Sequence, residues 1–392
     1  MKTQAPFRAI KIISTLIFII LLISSLYAQV EERTVKWNIK GYVKDMPYIS
    51  FDKSFSNRSA NNLIHNRLNI KWSPNEKLSG AAEFRTRLFW GDEVRAVPNF
   101  AEQLRNKNEH VNASIIWFEN RNSAMLTNVE RFWLEYKTSN YLLRAGRQRI
   151  NWGIATMWNP NDIFNTYNFL DFDYEERPGS DAIKVQYFIS ELSNIEVAVS
   201  PSFSNNTTVA AAKYFFNRAT YDWQFNVGMY HNNLTAGAGW AGSIGNVGFK
   251  GEMQYFTRAN QTTSQCNVVM EWDYMFNSGW YINSGLLWNN RGLSKPVNDW
   301  TKVSFNLSPR KLMPTQYNVL LSTTKEITPL VSASLGLIYT PGTHIAIVLP
   351  SFQYNVSDHW DVNLVWQSFF ADMNNSFQVV THRIFLRTKW SF

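Results

Sequence analysis

The sequence has a single cysteine, Cys266, in 392 residues. One thiol makes no internal disulfide, so a disulfide-stapled scaffold is excluded. Val268, Met270 and Trp272 share its parity, and Cys266 reads as a small apolar residue on a strand. Long apolar runs are equally scarce. With a mean hydropathy of −0.27, the chain lacks the several stretches of about 20 apolar residues that a bundle of membrane helices needs. Charged residues are only 17%, yet aromatic residues reach 15%, which excludes a disordered, low-complexity chain. Catalytic signatures are missing too. The histidines (His65, His110, His231, His344, His359 and His382) are scattered, with no H-E-x-x-H, no G-x-S-x-G elbow and no phosphate-binding glycine loop. The composition that remains is that of a very aromatic all-β chain.

The one long apolar stretch lies near the N-terminus. Lys2, Arg8 and Lys11 precede the run Ile12 to Leu22, and small or neutral residues follow to Ala28. This is the layout of a secretory signal peptide, expected over 1–28 with cleavage after Ala28, although Leu26 is larger than ideal for its place. Its removal leaves 35 basic against 30 acidic side chains, a net charge of +5.

Beyond residue 33 the dominant signal is period two. Val35, Trp37, Ile39, Gly41 and Val43 interleave with Lys36, Asn38, Lys40, Tyr42 and Lys44. Tyr221, Trp223, Phe225, Val227 and Met229 interleave with Asp222, Gln224 and Asn226, and Trp360, Val362, Leu364 and Trp366 with Asp361, Asn363 and Gln367. Each segment is about ten residues, the length a tilted strand needs to cross a bilayer. Many such strands, with Trp and Tyr near their ends, predict an all-β fold: a transmembrane antiparallel β-barrel of about 18 strands, with 16 the nearest alternative. Residues 29–392 then form one barrel domain.

Alternate connections come out short: Ser73–Lys77, Thr138–Asn140, Glu191–Ser193, Asn217–Thr220, Gly245–Asn246, Asn277–Gly279, Glu326–Pro329 and Ser357–His359. Those are the expected periplasmic turns, and both termini fall on their side. The long loops, 91–128, 151–180 and 290–314, fall on the other. His110 to Phe118 also reads as a strand but has no slot in the wall, so it is placed inside the 91–128 loop.

Parity places Trp390, Thr388, Leu386 and Ile384 on one face of the last strand, and Ser391, Lys389, Arg387, Phe385 and Arg383 on the other. A terminal aromatic, Phe392, on an amphipathic strand resembles the signature by which Gram-negative outer-membrane barrels are recognised by the barrel-assembly machinery. That resemblance implies an outer-membrane location, with outer-membrane lipids and the assembly machinery as partners. The pattern carries no signature of an oligomer interface.

The inward positions have a sign. Lys36, Lys40, Lys44, His65, Arg67, Lys71, Arg85 and Arg87 project from the first three strands, with Glu83 the main acid, and Arg383, Arg387 and Lys389 come from the closing strand beside them. Together they predict a basic wall, and a field that favours anions, in a pore lined by Lys, Arg, Glu, Asn and Gln. Further round, the inward charges include Glu196, Glu252, Glu271, Asp273 and Asp361. The alternative is that these charges simply solvate the channel and pair across it.

The most distinctive motif is Gly146-Arg147-Gln148-Arg149-Ile150-Asn151-Trp152-Gly153, then Trp158-Asn159-Pro160-Asn161-Asp162-Ile163-Phe164-Asn165 and Tyr174-Glu175-Glu176-Arg177-Pro178-Gly179-Ser180-Asp181. Here the chain resembles a group of outer-membrane porins that includes the alginate-export-like and related substrate-specific channels. The resemblance implies a channel for small hydrophilic solutes, anions among them, but carries over no substrate residues. Asn159-Pro160-Asn161-Asp162 is turn chemistry. A long loop rich in Trp and Asn (Trp152, Trp158, Asn159) either folds inward and narrows the barrel, its acids Asp162, Asp171, Asp173, Glu175 and Glu176 pairing with Arg144, Arg147 and Arg149, or stays an ordinary solvated outer loop. Tyr141 and Leu143 share parity with Arg147 and Arg149, so Gly146 is read as a bulge that turns those arginines inward, the alternative being a rim position facing lipid phosphates.

Other functions fit less well. An enzyme would have to assemble its site from distant strands, and a wide polar lumen serves no lipid chemistry. Asp171 to Glu176 lacks the regular spacing of a Ca²⁺ loop, so no metal or other cofactor is expected. Basic residues that alternate along strands form no exposed nucleic-acid patch. Two further readings stand beside the porin: export of an anionic polysaccharide, and a non-conducting receptor or adhesin barrel.

Overall fold

The computed structural model describes residues 36–392 apart from 106–110, 166–169, 171–176, 202–206, 258–262, 298, 301–302 and 374–375. The expected signal segment, 1–28, lies outside the described residues, as do Asp171, Asp173, Glu175 and Glu176.

The strands are β1 (Trp37–Phe51), β2 (Arg58–Trp72), β3 (Leu78–Gly91), β4 (Ser114–Glu119), β5 (Ser123–Lys137), β6 (Tyr141–Gln148), β7 (Ser180–Ser190), β8 (Ser193–Ser200), β9 (Val209–Arg218) and β10 (Tyr221–Tyr230). They continue as β11 (Asn233–Ile244), β12 (Val247–Phe256), β13 (Gln265–Met275), β14 (Trp280–Asn289), β15 (Tyr317–Thr328), β16 (Val331–Thr340), β17 (Ile345–Ser357), β18 (Trp360–Met373) and β19 (Ser376–Ser391). All pair antiparallel with their neighbours. The sheet closes where β1 pairs with β19, from Tyr42↔Ser391 to Phe51↔His382. Setting β4 aside, 18 strands form the closed barrel.

The eight short connections fall where the alternation put them, to within three residues at each end. They are short because an antiparallel pair needs only a tight turn, and Gly245 (φ 61°) and Gly279 (φ 78°) adopt left-handed conformations open to glycine. At the seam, Gly41 and Phe392 exchange two backbone hydrogen bonds of 2.9 Å. A Cβ on Gly41 would stand 2.6 Å from the Phe392 ring, so the terminal aromatic packs where a side chain is missing.

Outward positions carry the apolar alternation. Leu134, Ile183, Val185, Val227, Leu321 and Leu386 are all exposed on the outer surface while their sequence neighbours face in. Slipping any strand by one residue would exchange these faces, so the pattern fixes the register.

Strand β1 runs longer than the alternation suggests. Asp45 and Pro47 interrupt the pattern of β1, yet the chain stays extended to Phe51, with Asn62 donating to Asp45 from β2. The unplaced strand is also found. Strand β4 pairs with the long-loop end of β5, from Ser114↔Asn128 to Glu119↔Ala124. It takes the edge of β5 that β6 leaves free, because β6 pairs only with Phe132–Lys137 before the chain departs at Gln148.

Candidate channel interior

The departure after Gln148 creates the main feature of the interior. Arg147 stays in the wall at the branch point. It pairs with Asp181 through two contacts of 2.8 Å and donates to the carbonyls of Val129 (2.9 Å) and Val111 (2.6 Å). One guanidinium thus joins β5, β7 and the segment leading into β4, the multiple-donor fork that suits arginine. The pairing of β6 shows no register shift, so the bulge expected at Gly146 is absent; Gly146 instead takes a φ of 111° within an unbroken ladder. Arg147 shares the parity of the outward residues of its strand pair and is buried in the wall, not turned into the lumen.

Past this point the chain runs inside the barrel, seated on wall carboxylates. Glu252 of β12 accepts from the backbone N–H groups of Ile154 (2.5 Å), Ala155 (2.6 Å) and Asn161 (2.9 Å), and from Asn159 Nδ2 (3.1 Å). Glu271 of β13 takes Thr156 N (2.7 Å) and Met157 N (3.3 Å). Glu196 of β8 takes the Trp152 indole N–H at 2.5 Å. Charge-assisted bonds of this kind are worth about 1.5–3 kcal/mol each, so three acids supply most of the polar attachment.

The neighbouring strand makes room, Gly239 being the ladder partner of Glu252. In β11, a Cβ on Gly237 would lie 2.7 Å from Asn161 Oδ1, and one on Gly239 would lie 2.8 Å from Ile154 Cδ1. Alternate glycines on one face of a strand are the sequence signal for this close approach. Trp158 is buried in a cluster with Val269, Leu287, Met313, Leu320 and Ile338. Part of the lumen is therefore packed and apolar, in place of the uniformly polar lining expected from sequence. A loop seated that deeply needs an apolar bed, because its buried Trp and Met side chains have no water to face.

Among the described residues the expected anchors have these contacts. Arg144 pairs with Glu135, Arg147 with Asp181, and Arg149 donates to Asn151 (3.0 Å). Asp162 pairs with Arg177 at 2.5 Å, and Arg177 also donates to Asn159. Burial pushes the Asp162 carboxyl above its usual range, against the pull of Arg177. Arg131, not singled out by the sequence, donates to the Arg177 carbonyl at 2.6 Å and holds the returning arm. It was hidden by a register shift between Glu83 and Phe84 that reverses parity along β5.

A second inward loop spans 290–316. Here the wall donates. Asn267 Nδ2 reaches the Pro309 carbonyl (3.0 Å) and Asn289 Nδ2 the Met313 carbonyl (3.3 Å), while Gln265 Nε2 donates to the Arg310 carbonyl. Residues Val303, Leu312 and Met313 enter the same apolar cluster as Trp158.

The residues of the expected basic wall lie side by side. Ladder partners include Lys44↔Lys389, Lys44↔His65, Arg67↔Arg85 and His65↔Arg87. Arg67 pairs with Glu83, Arg85 lies 3.9 Å from Glu130, and Lys389 lies 3.0 Å from Asp361. Arg387 donates to Asn363, and Lys44 stands 5.0 Å over the Tyr42 ring. Lys36, Lys40, Lys71 and Arg383 are exposed. Three acids, Glu83, Glu130 and Asp361, thus pair with cations among these ten in the contacts above.

Between this wall and the loops lies a cavity of about 450 Å³. Met46, Tyr48, Leu63 and Phe385 line it from the barrel, Trp300 and Phe305 from the 290–316 loop, and Arg87, Glu93 and Arg383 carry its charges.

No known protein family's sequence profile matches the chain, and no curated protein does. Solved structures do. OccAB4 of Acinetobacter baumannii superposes with a TM-score of 0.59 at 10% identity, over 91% of this chain and 99% of that one. OccK9 (OpdG) of Pseudomonas aeruginosa gives 0.57 at 9%, over 91% and 98%. A structure of OpdK of Pseudomonas aeruginosa with vanillate gives 0.53 at 10%, over 91% and 99%. At such low identity the likeness is one of fold, a closed antiparallel barrel of 18 strands that matches porin folds.

Proposed function

We propose that the protein is a channel of the Gram-negative outer membrane through which small hydrophilic solutes, anions preferred, diffuse passively. The outward apolar alternation and the porin fold support the location. The basic wall is the observation that carries the preference: its cations outnumber its acids, and Lys40 and Arg383 are open to a passing solute. A field of one sign concentrates solutes of the other and raises their entry rate. Further round the barrel Glu252 and Glu271 are fully buried against loop amides, whereas Lys36, Lys40, Lys71 and Arg383 of the wall are exposed. Neither the wall nor the loops require energy coupling or a cofactor for this role.

The test is the reversal potential of the refolded protein in a planar bilayer under a KCl gradient. The expected shift is toward the Cl⁻ equilibrium potential. Replacing Lys40, Arg67 and Arg85 with Gln is expected to reduce the shift while leaving assembly intact. An unchanged reversal potential in that variant would remove the wall as the source of selectivity. A folded barrel that never conducts would favour the receptor or adhesin reading.

A further inference from the structure

The cavity between the basic wall and the inward loops carries charges of both signs. Glu93 follows β3 in a short helical turn, Asp92–Ala96, where its N–H donates to Asn61 Oδ1 at 2.7 Å. One of its carboxylate oxygens accepts from the Tyr48 hydroxyl. The other makes no hydrogen bond among the described residues. Arg383, on β19, is exposed and makes no ion pair among the described residues. Both side chains line one cavity, with Tyr48.

The rest of the lining is mainly apolar and comes from two sources. Tyr48 stacks on Phe385 (centroids 5.1 Å apart) on the wall side, and Trp300 and Phe305 approach Phe369 (both 6.5 Å) from the second inward loop. A volume of about 450 Å³ falls in the range of small-molecule sites, which are mostly apolar with a few placed polar groups.

We propose that this cavity binds solutes with an apolar body and a zwitterionic head, the chemistry of a free apolar α-amino acid. The carboxylate meets Arg383, the ammonium meets the open oxygen of Glu93, and the side chain lies among the aromatic rings. A simple anion leaves Glu93 facing a like charge or an unpaired apolar surface. A simple cation meets Arg383 and Arg87 in the same way. The zwitterion alone satisfies both charges, and a site built for two charged groups discriminates against analogues that lack one of them.

This inference rests on the channel reading, and the test separates the two. Proteoliposomes holding the full mature chain are challenged with L-phenylalanine, 3-phenylpropionate or phenethylamine, and swelling rates are compared with those for a small neutral sugar. The expected result is entry of phenylalanine several-fold faster than either analogue. Glu93→Gln and Arg383→Gln are each expected to bring the ratio of phenylalanine to phenylpropionate entry close to one. Phenylpropionate entering as fast as phenylalanine in the unmodified protein overturns the zwitterion site and leaves the channel standing. If neither the sugar nor any of the three enters, the channel reading fails and the inference with it.

Discussion

The two loops inside the barrel are held by opposite chemistry. The first, 149–165, turns mainly N–H groups to wall carboxylates, with one carbonyl, that of Trp152, met by the Gln224 carboxamide; the second, 290–316, turns its carbonyls to the wall and is met by carboxamides. Each wall residue answers the polarity of the backbone it faces, because a buried N–H or C=O without a partner costs about 1–3 kcal/mol. The first loop is therefore fastened by a few strong, charge-assisted contacts that share acceptors. The second is fastened by several weaker ones and by its apolar side chains. Concentrated attachment fails at one residue, whereas distributed attachment fails gradually.

Glu252→Ala is the substitution expected to break this contrast hardest. It strips the acceptor from three backbone N–H groups and from Asn159, at a cost on the order of 3–5 kcal/mol to the seat of the first loop. Single-channel records should turn from quiet openings to flickering substates. Leu386→Arg marks the boundary between loop seating and barrel assembly. An outward arginine at mid-bilayer depth costs about 2–4 kcal/mol, so folding yield in lipid vesicles should fall for the whole barrel. Normal yield would contradict the facing of β19.

Smaller changes sharpen the comparison. Gly239→Val places a Cβ against Ile154 Cδ1 and Asn161 Nδ2, so the first loop should loosen by about 1–3 kcal/mol while the second is untouched. Limited proteolysis within 150–165 is the readout. Asn267→Ala removes one donor from the second loop and should cost about 1 kcal/mol, seen as a modest rise in cleavage within 303–313 alone. Equal sensitivity of the two loops to either substitution would remove the distinction.

The wall was legible in the sequence because strand alternation and tight turns are local. Gly245–Asn246 and Ser73–Lys77 each announce a turn within a few residues, and Phe385 and Leu386 declare their faces by parity alone. The interior was only half legible. The inward direction of Glu196, Glu252 and Glu271 was readable, but not what they hold, since Glu252 meets Ile154 across 98 residues of chain. Leu320 and Leu321 sit side by side on opposite faces, one buried and one exposed. Such apolar pairs near a strand end mark a bed for a buried loop, and the glycines of β11 mark its closest approach. Arg131 escaped parity behind a register shift, whereas Arg147 keeps the parity of its strand and stays in the wall.

The most direct test of the two-chemistry account is amide hydrogen exchange on the folded protein, read by mass spectrometry over 150–165 and 303–316, with and without Glu252→Gln. The variant keeps the shape of the side chain but replaces one acceptor oxygen with a donor. Faster exchange confined to 150–165 is the predicted result. Equal acceleration in both loops, or none in the first, would contradict the assignment of Glu252 as the fastening of that loop.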